Sequence, residues 1–487
     1  MLTKRPLRAL ALIGAPLLGL ALSYGPRARA NGRMASANQL AGSPVDPNLL
    51  VLESTVGILV SHDLGANFGW ICEAPVGYGD GGPQDPSIAM TTAHVLAGLR
   101  QGMSLSPDDG CTWSFALNDP VVDVVVRRDD PHTALAVTSA YAGVGDAGEN
   151  LYMTHVLVSH DDGNTWSQLG VAIDPTVTVE TIDVALSDSN RLYIGGAARR
   201  PTDDGGIERV GVVLTSVNSG ATYARTDIPL NSGNESKYAS AFVSAVDPAD
   251  PDLLYVRVSD TLADRLIVST DGAKTFTTAY QATGPLLGFA LSADGSKLFL
   301  GGPFDGVLLA RTGLDAGTSP SFTKQSTTSV SCLAWLGGSL YACVRQPGST
   351  FLQYVGASAN DGVTFQPKFY LGCLSPLSCP GPDIAVQCDP GLPLLHATVG
   401  PCPEGGATTS DSGLDSGELD GAAIGADGAP LPRGEAGESD GGRQTGEPAL
   451  GGCGCGAGES ASALGGFSAF VSTLALALRR RRQRGRA

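Results

Sequence analysis

SHDDGNTW, residues Ser159 to Trp166, sets a serine, an acid, a glycine, a threonine and an aromatic residue at fixed steps, and the chain carries six copies of that spacing. The others are SHDLGANF from Ser61, SPDDGCTW from Ser106, SVNSGATY from Ser216, STDGAKTF from Ser269 and SANDGVTF from Ser358. Their starts lie 45, 53, 57, 53 and 89 residues apart. The last interval is close to twice the others, which places a decayed seventh copy in RTGLDAGTSPSF, Arg311 to Phe322. Seven units of about 46 residues then fill residues 48–372. A period of this length means a repeat fold, in which each unit is one supersecondary piece that buries its apolar face only against its neighbours.

Each octet is a turn by its chemistry. Gly65, Gly110, Gly163, Gly220 and Gly362 stand where the chain must reverse, and glycine takes positive φ without a Cβ penalty. Asp63, Asp108, Asp161 and Asp271 have carboxylates placed to accept backbone N–H bonds across the turn, and Asn218 and Asn360 offer an amide oxygen there instead. Phe68, Trp113, Trp166, Tyr223, Phe276 and Phe365 open the returning strand, with their rings expected between neighbouring units. The fifth copy has Ala273 at the glycine position, which predicts an altered or relaxed turn. The octet resembles the Asp-box, or bacterial neuraminidase repeat, of sialidases, sortilin-type receptors and several glycoside hydrolases. That resemblance covers about two-thirds of the chain. It implies that the box joins the third and fourth strands of a blade, away from the functional face, so the six acid and amide side chains are scaffold.

Between the turns the chain reads as short strands. VVDVVVRRDDP, TALAVTSAYA, YMTHVLVSHDDG and TWSQLGVA make one four-strand unit, and ETIDVALSDSN, RLYIGGAAR, RVGVVLTSVNSG and TYARTDIPL make the next. Each run is rich in β-branched and aliphatic residues and bounded by Asp, Gly, Pro or Asn. No long helix-period apolar stretch interrupts them. The expected fold is all-β: a seven-bladed propeller of four-stranded blades over 48–372. The first unit lacks an inner strand of its own, and two segments are able to supply it, residues 36–47 and the DIAVQC stretch near Asp383.

The ends address the chain. Lys4, Arg5 and Arg8, the apolar run Ala9 to Leu22 and the small-residue site Ala28-Arg29-Ala30 form a secretory signal over 1–30, followed by an N-terminal segment at 31–47. Beyond the propeller come a Cys- and Pro-rich cap at 373–402 and an acidic Gly-rich linker at 403–452, expected to be disordered for want of apolar residues. Residues 453–487 hold GGCGCGAG, the weakly apolar run Ala461 to Leu478 and an Arg-rich tail, long enough to cross a bilayer with the basic end inside. This end resembles the myxobacterial C-terminal sorting signal. The resemblance implies a sorting protease acting near Cys453 or Cys455, and an exported protein anchored through its C-terminus at the cell surface or outer membrane. An ordinary membrane anchor is the alternative.

A net charge of −17 argues against a nucleic-acid partner, which needs a basic stripe. Much of it sits in the linker, where Glu404 to Glu459 holds eleven acids against Arg433 and Arg443. Eight cysteines outside the C-terminal motif read as disulfides in an oxidising compartment. Cys332 and Cys343 fall on adjacent strands of the seventh unit and are expected to pair. Cys72 and Cys111 are expected to link the first two units. Cys373, Cys379, Cys388 and Cys402 are expected to form two bridges within a helix-free cap. No C-x₂-C pair, H-E-x-x-H, G-x-S-x-G or phosphate loop occurs, so neither a metal nor another cofactor is expected.

Function is expected on the face opposite the boxes, formed by the loops that join strands two and three and by those that join strand four to the next blade. The longest connection is RRPTDDGGIER, with Arg199, Arg200, Asp203, Asp204, Glu208 and Arg209; next is AYAGVGDAGEN, with Tyr141, Asp146 and Glu149. NSGNESK adds Glu235 and Lys237, and GYGDGGPQD adds Tyr78, Asp80 and Asp85. Acid, Arg and Tyr together suit a polar ligand, a glycan or a protein. A typical sialidase takes one substrate arginine from an Arg-Ile-Pro motif before the first box; none occurs here, and no Arg lies between Arg33 and Arg100. The reading is therefore a non-catalytic binding module. The alternative is a glycoside hydrolase with paired carboxylates on that face.

Overall fold

The Val-, Ile- and Leu-rich runs pair into seven antiparallel sheets, each assembled in chain order, in a computed structural model that describes residues 36–403 apart from 80–83, 146–147, 202–206, 232–238, 261–262, 312–319 and 346–352. Blades 1 to 7 occupy residues 37–71, 87–117, 121–169, 177–228, 240–281, 288–326 and 329–370. Their first strands line the ring: those of blades 1 and 2, 2 and 3, 3 and 4, 4 and 5, 6 and 7, and 7 and 1 touch. The apolar cores lie between blades. Val137 and Val156 of blade 3 join Val179, Ile194 and Val212 of blade 4, while Tyr193 and Val213 on the other side of blade 4 join Ala241 and Val256 of blade 5. Alternation along each strand thus feeds two different cores. The architecture is a seven-bladed β-propeller.

The six octets all join the third and fourth strands of their blades, so they share one face. In the third copy the Ser159 hydroxyl accepts the Gly163 N–H at 2.9 Å and donates to Asp161 Oδ1 at 2.7 Å. Asp161 then accepts the Thr165 N–H at 2.9 Å and its hydroxyl at 2.6 Å. The serines are buried in every copy, a role for Ser that the sequence reading had not assigned. Asn67 replaces Thr in the first copy and donates through its amide to Asp63 at 2.7 Å. Gly163, at φ 88°, has no room for a side chain: a Cβ there would lie 2.6 Å from Leu96 Cδ2 of blade 2. Trp113 and Trp166 are half-buried, their indole N–H groups donating to Gly110 and Gly163 carbonyls at 2.9 Å.

The fifth turn keeps this geometry, against expectation. Ala273 takes φ 67° and its N–H still reaches Ser269 Oγ at 2.9 Å. Glycine stands one place earlier, at Gly272, where a Cβ would come within 2.6 Å of Asp252 Oδ1. The Arg191–Asp252 ion pair, 2.6 Å long, occupies that space. The position proposed for a decayed seventh copy falls between the third and fourth strands of blade 6, and residues 312–319 lie outside the described residues.

The missing inner strand of blade 1 is Ala37–Gly42, paired antiparallel with Leu50–Ser54. DIAVQC is not a strand: Asp383–Cys388 is helical, and Leu392–Val399 forms a second helix. The cap is therefore not helix-free. Among the described residues no helix is long and apolar enough to cross a membrane. The cap also adds a fifth strand to blade 1, Ser375–Pro376, parallel to Gly69–Ile71. Cys332 pairs with Cys343 as expected and one bridge closes within the cap, but Cys72 and Cys111 do not link blades 1 and 2 and the cap has no second internal bridge. Cys72 bonds Cys388, Cys111 bonds Cys379 and Cys373 bonds Cys402. The reason is that the cap packs across blades 1 and 2, which puts its cysteines nearer to Cys72 and Cys111 than those are to each other.

Side chains stitch the inner strands together. Gln39 of blade 1 bonds both the N–H and the carbonyl of Ile88 in blade 2, at 2.9 and 3.0 Å. Ser87 donates to Asp123 of blade 3 at 2.6 Å, and Asp123 accepts the Ile182 N–H of blade 4 at 2.9 Å. Thr181 and Asp183 accept the Val243 and Val246 N–H groups of blade 5 at 2.8 and 2.9 Å. Burial pushes the Asp123 carboxyl up to about 6 despite these donors. Unsatisfied, each group here would carry a desolvation cost of about 1–3 kcal/mol.

Candidate functional site

The face opposite the turns is uneven. In blades 3 and 4 the second and third strands are 11, 10, 10 and 10 residues long: Ala134–Val144, Asn150–Ser159, Leu192–Pro201 and Ile207–Ser216. The equivalent strands of blades 1, 2, 5, 6 and 7 have five to seven residues. At about 3.3 Å per residue, the two hairpins rise roughly 10–15 Å above their neighbours. The two connections read as loops are thus mostly ladder. Tyr141 and Val144 are 61% and 60% exposed, as is Met153 at 61%. Tyr141 sits opposite Tyr152, their rings 6.2 Å apart and edge-on. Glu149 lies beside the tip, its backbone carbonyl accepting the Gly145 N–H.

The blade 4 hairpin sorts its charges by pleat. Arg199 is paired in register with Arg209, and Arg200 with Glu208. Opposite residues share a face and adjacent pairs alternate. Arg209, on the side of blade 5, donates to the Ala239 carbonyl at 2.6 Å. Burial lowers its guanidinium pKa, against the pull of Glu180. Arg200, on the other side, is held by Glu208 at 2.5 Å and by Asp227 at 3.3 Å. Its charge is spent within the protein. Arg199 is exposed and makes no ion pair among the described residues. Asp203, Asp204, Asp146, Asp80, Glu235 and Lys237 lie outside the described residues, and Tyr78 is buried.

Sequence reading missed Glu180. It is the extra residue of a β-bulge in the inner strand Val177–Val184, between Val179 and Thr181. Bulges re-aim a side chain, and this one interrupts the alternation of TVTVETIDV, the only signal that marks it. Burial pushes the Glu180 carboxyl up to about 7, opposed by Arg209, Ser240 and Arg257. Arg257 is fixed by Asp264 at 3.2 Å and the Leu286 carbonyl at 3.3 Å, and lies 4.2 Å over the Phe242 ring. The Ser240 hydroxyl is fully buried and is directed at the Glu180 carboxyl. A carboxyl that titrates around pH 7 is present in both forms there, and its protonated form can donate as well as accept a hydrogen bond.

Two other places hold polar chemistry. On the turn face, Asp162 accepts the Thr92 hydroxyl at 2.6 Å and His132 Nδ1 lies 2.8 Å from its carboxylate. Burial pushes Asp162 upward, but the bonds from His132 and Thr92 outweigh it and hold the carboxyl low. The hydrogen bond to Asp162 in turn raises His132. Thr92 Oγ1 approaches the same His132 nitrogen, at 2.8 Å, so the ring does not relay between hydroxyl and carboxylate. In the cap, an open concavity of about 590 Å³ is lined by Gly372, His396, Ala397, Gly400, Pro401 and Cys402, and His396 is committed to the Leu374 carbonyl at 2.8 Å. Among the described residues no group of His, Cys, Asp and Glu is arranged to hold a metal.

No known protein family and no curated protein matches the chain. Solved structures do. The Cps50 (Swd1) β-propeller domain of Myceliophteria thermophila is 11% identical over 67% of this chain and 98% of that one, with a TM-score of 0.41. Kuenenia stuttgartiensis hydrazine synthase is 12% identical over 67% and 97%, TM-score 0.45. YCF48 bound to D1 peptide is 12% identical over 64% and 90%, TM-score 0.39. None of these likenesses carries a functional argument.

Proposed function

We propose that this is an exported, surface-tethered propeller of the Asp-box type that binds a protein or glycan ligand with the paired hairpins of blades 3 and 4. One observation carries the reading: only these hairpins, among the described residues, are extended, and they present Tyr141, Val144, Met153 and Arg199 to solvent. Exposed aromatic and Arg side chains on a rigid ribbon are the residue types that dominate binding energy. Screening the full exported chain against glycan and peptide arrays supplies the ligand. Tyr141→Ala with Arg199→Ala should then weaken binding at least tenfold at an unchanged melting temperature. Undiminished binding would move the site elsewhere.

Export and tethering rest on the charged, apolar and Ala28-Arg29-Ala30 segments and on the Cys453/Cys455 motif with its apolar run and arginine tail, all outside the described residues. Replacing Cys453 and Cys455 together should release the protein from cells or leave an untrimmed precursor; surface display at normal size would reduce the tail to a plain anchor.

Glu180 is the specific observation on the side of hydrolysis, since a carboxyl whose pKa is raised toward 7 has the acidity that a general acid needs. The groups that act on it are Arg209, Ser240 and Arg257, with no second carboxylate among them. Glycoside turnover abolished by Glu180→Gln would establish the hydrolase and displace the binding reading.

A further inference from the structure

Blades 7 and 1 exchange no strand. Blade 1 is built wholly from residues 37–71, with its added edge strand from the cap, and blade 7 from 329–370. The seam between them is held by Ser331 Oγ to the Ala37 carbonyl at 2.7 Å, by Arg345 to Ser36 at 3.4 Å and by the Phe68 and Phe369 rings, 5.1 Å apart. An apolar core that joins Leu40, Leu52 and Phe68 of blade 1 to Tyr341, Val355 and Phe369 of blade 7 fills it, and it is the interface at which the chain of the ring begins and ends.

The cap crosses that seam. After blade 7 the chain lays Ser375–Pro376 along the outer strand of blade 1, and Leu377 N–H bonds the Trp70 carbonyl at 3.2 Å. It then bonds Cys379 to Cys111, inside the repeated turn of blade 2, and Cys388 to Cys72, at the end of blade 1. These bridges close loops of 268 and 316 residues. Cys332–Cys343 closes only 11 residues within blade 7. We propose that the cap is a thiol-sensitive latch: its two long-range disulfides hold the ring shut between blades 7 and 1, and a dithiol reductant opens that seam.

The chemistry is ordinary exchange. A reductant thiolate attacks one sulfur, the S–S bond breaks, and a mixed disulfide forms. The second thiol displaces it, so each bridge gains two electrons and two protons while the dithiol leaves as its disulfide. Access sets the order. Cys402 is exposed, so Cys373–Cys402 opens first; Cys111 and Cys379 are half-buried and open next; Cys388 is fully buried and Cys72–Cys388 opens last of the three. Cys332–Cys343, buried on both sides, is the internal control.

The test is graded reduction of the full oxidised chain with dithiothreitol, with bridges followed by differential alkylation and the backbone by amide hydrogen exchange. Once Cys111–Cys379 and Cys72–Cys388 are both open, exchange in Ala37–Gly42 should rise at least tenfold while Ser240–Val246, in blade 5, stays within twofold. Unchanged exchange at Ala37–Gly42 would show that contacts alone close the ring, and an equal rise in blade 5 would show that the bridges support the whole fold rather than the seam. Cys72→Ser with Cys388→Ser, joined to Cys111→Ser with Cys379→Ser, gives the same reading without reductant. If that variant does not fold, the reduced wild-type chain decides.

Discussion

The two faces of this ring follow opposite rules. On the turn face six octets satisfy themselves: serine caps the glycine N–H, acid or amide caps the threonine, and almost nothing is left over. On the other face, blades 3 and 4 break the sevenfold pattern with long hairpins, an exposed Arg199 and a carboxyl, Glu180, held near neutrality. Sameness marks where the backbone dictates the residue, and difference marks where a blade is released from that demand. The proposed reading puts binding energy on the second face and stability in the turn residues of the first.

The sharpest way to break this contrast is to substitute one residue on each face. Gly163→Val places methyl groups against Leu96 at a positive φ, and the combined backbone and overpacking cost is about 3 kcal/mol. Val144→Ser on the exposed hairpin should change stability by less than about 0.5 kcal/mol. Chemical denaturation of the two variants reads this directly, and equal losses would mean that the hairpins too are structural.

Glu180→Gln comes next. The wild-type carboxyl binds its proton more tightly folded than unfolded, so folding takes up a proton between 4.5 and about 7. The stability tied to neutral Glu180 is complete below the lower value and is lost as pH rises through the upper. Glutamine stays neutral throughout, so the variant should gain about 3 kcal/mol over wild type at pH 8 and nothing at pH 4. Parallel pH–stability curves would place the Glu180 carboxyl in ordinary solvent.

The smallest effect is inside the turn face. Ala273 holds a left-handed conformation that its serine cap imposes. Ala273→Gly relieves that strain but loosens the unfolded chain, for a net gain of about 0.5–1 kcal/mol by thermal melts. A loss would mean that the Ala273 methyl, buried among the residues between blades 4 and 5, contributes more than its backbone costs.

The fold was legible because the turns are: Gly, Asp and Ser at fixed steps are demanded by hydrogen bonds a few residues away. The closure was not. Ala37–Gly42 is ANQLAG, with no run of β-branched residues, and is a strand because blades 7 and 2 bury it from both sides. DIAVQC has strand-like residues, yet Pro382 and Asp383 start a helix there. Disulfide partners 268 and 316 residues apart are set by packing alone. On the face opposite the turns, Arg199 and Arg209 are readable as candidates from the sequence, but their separation from Arg200 and Glu208 needs the pleat, and Glu180 is hidden by a bulge that shifts the alternation by one.

Cys373–Cys402 ties the end of the cap back to blade 7. Residue 373 follows directly on the outer strand of blade 7, and residue 402 is where the chain leaves the cap. Tension drawn through the chain beyond residue 403 therefore passes across the sulfur bridge into blade 7, and the 29-residue span between the two cysteines is bypassed. Without the bridge that span would carry the pull as far as Cys388 and hand it through Cys72 to blade 1. With the bridge closed it is shunted out of the load path, and the cap helices can sit slack against blades 1 and 2 while the ring is pulled.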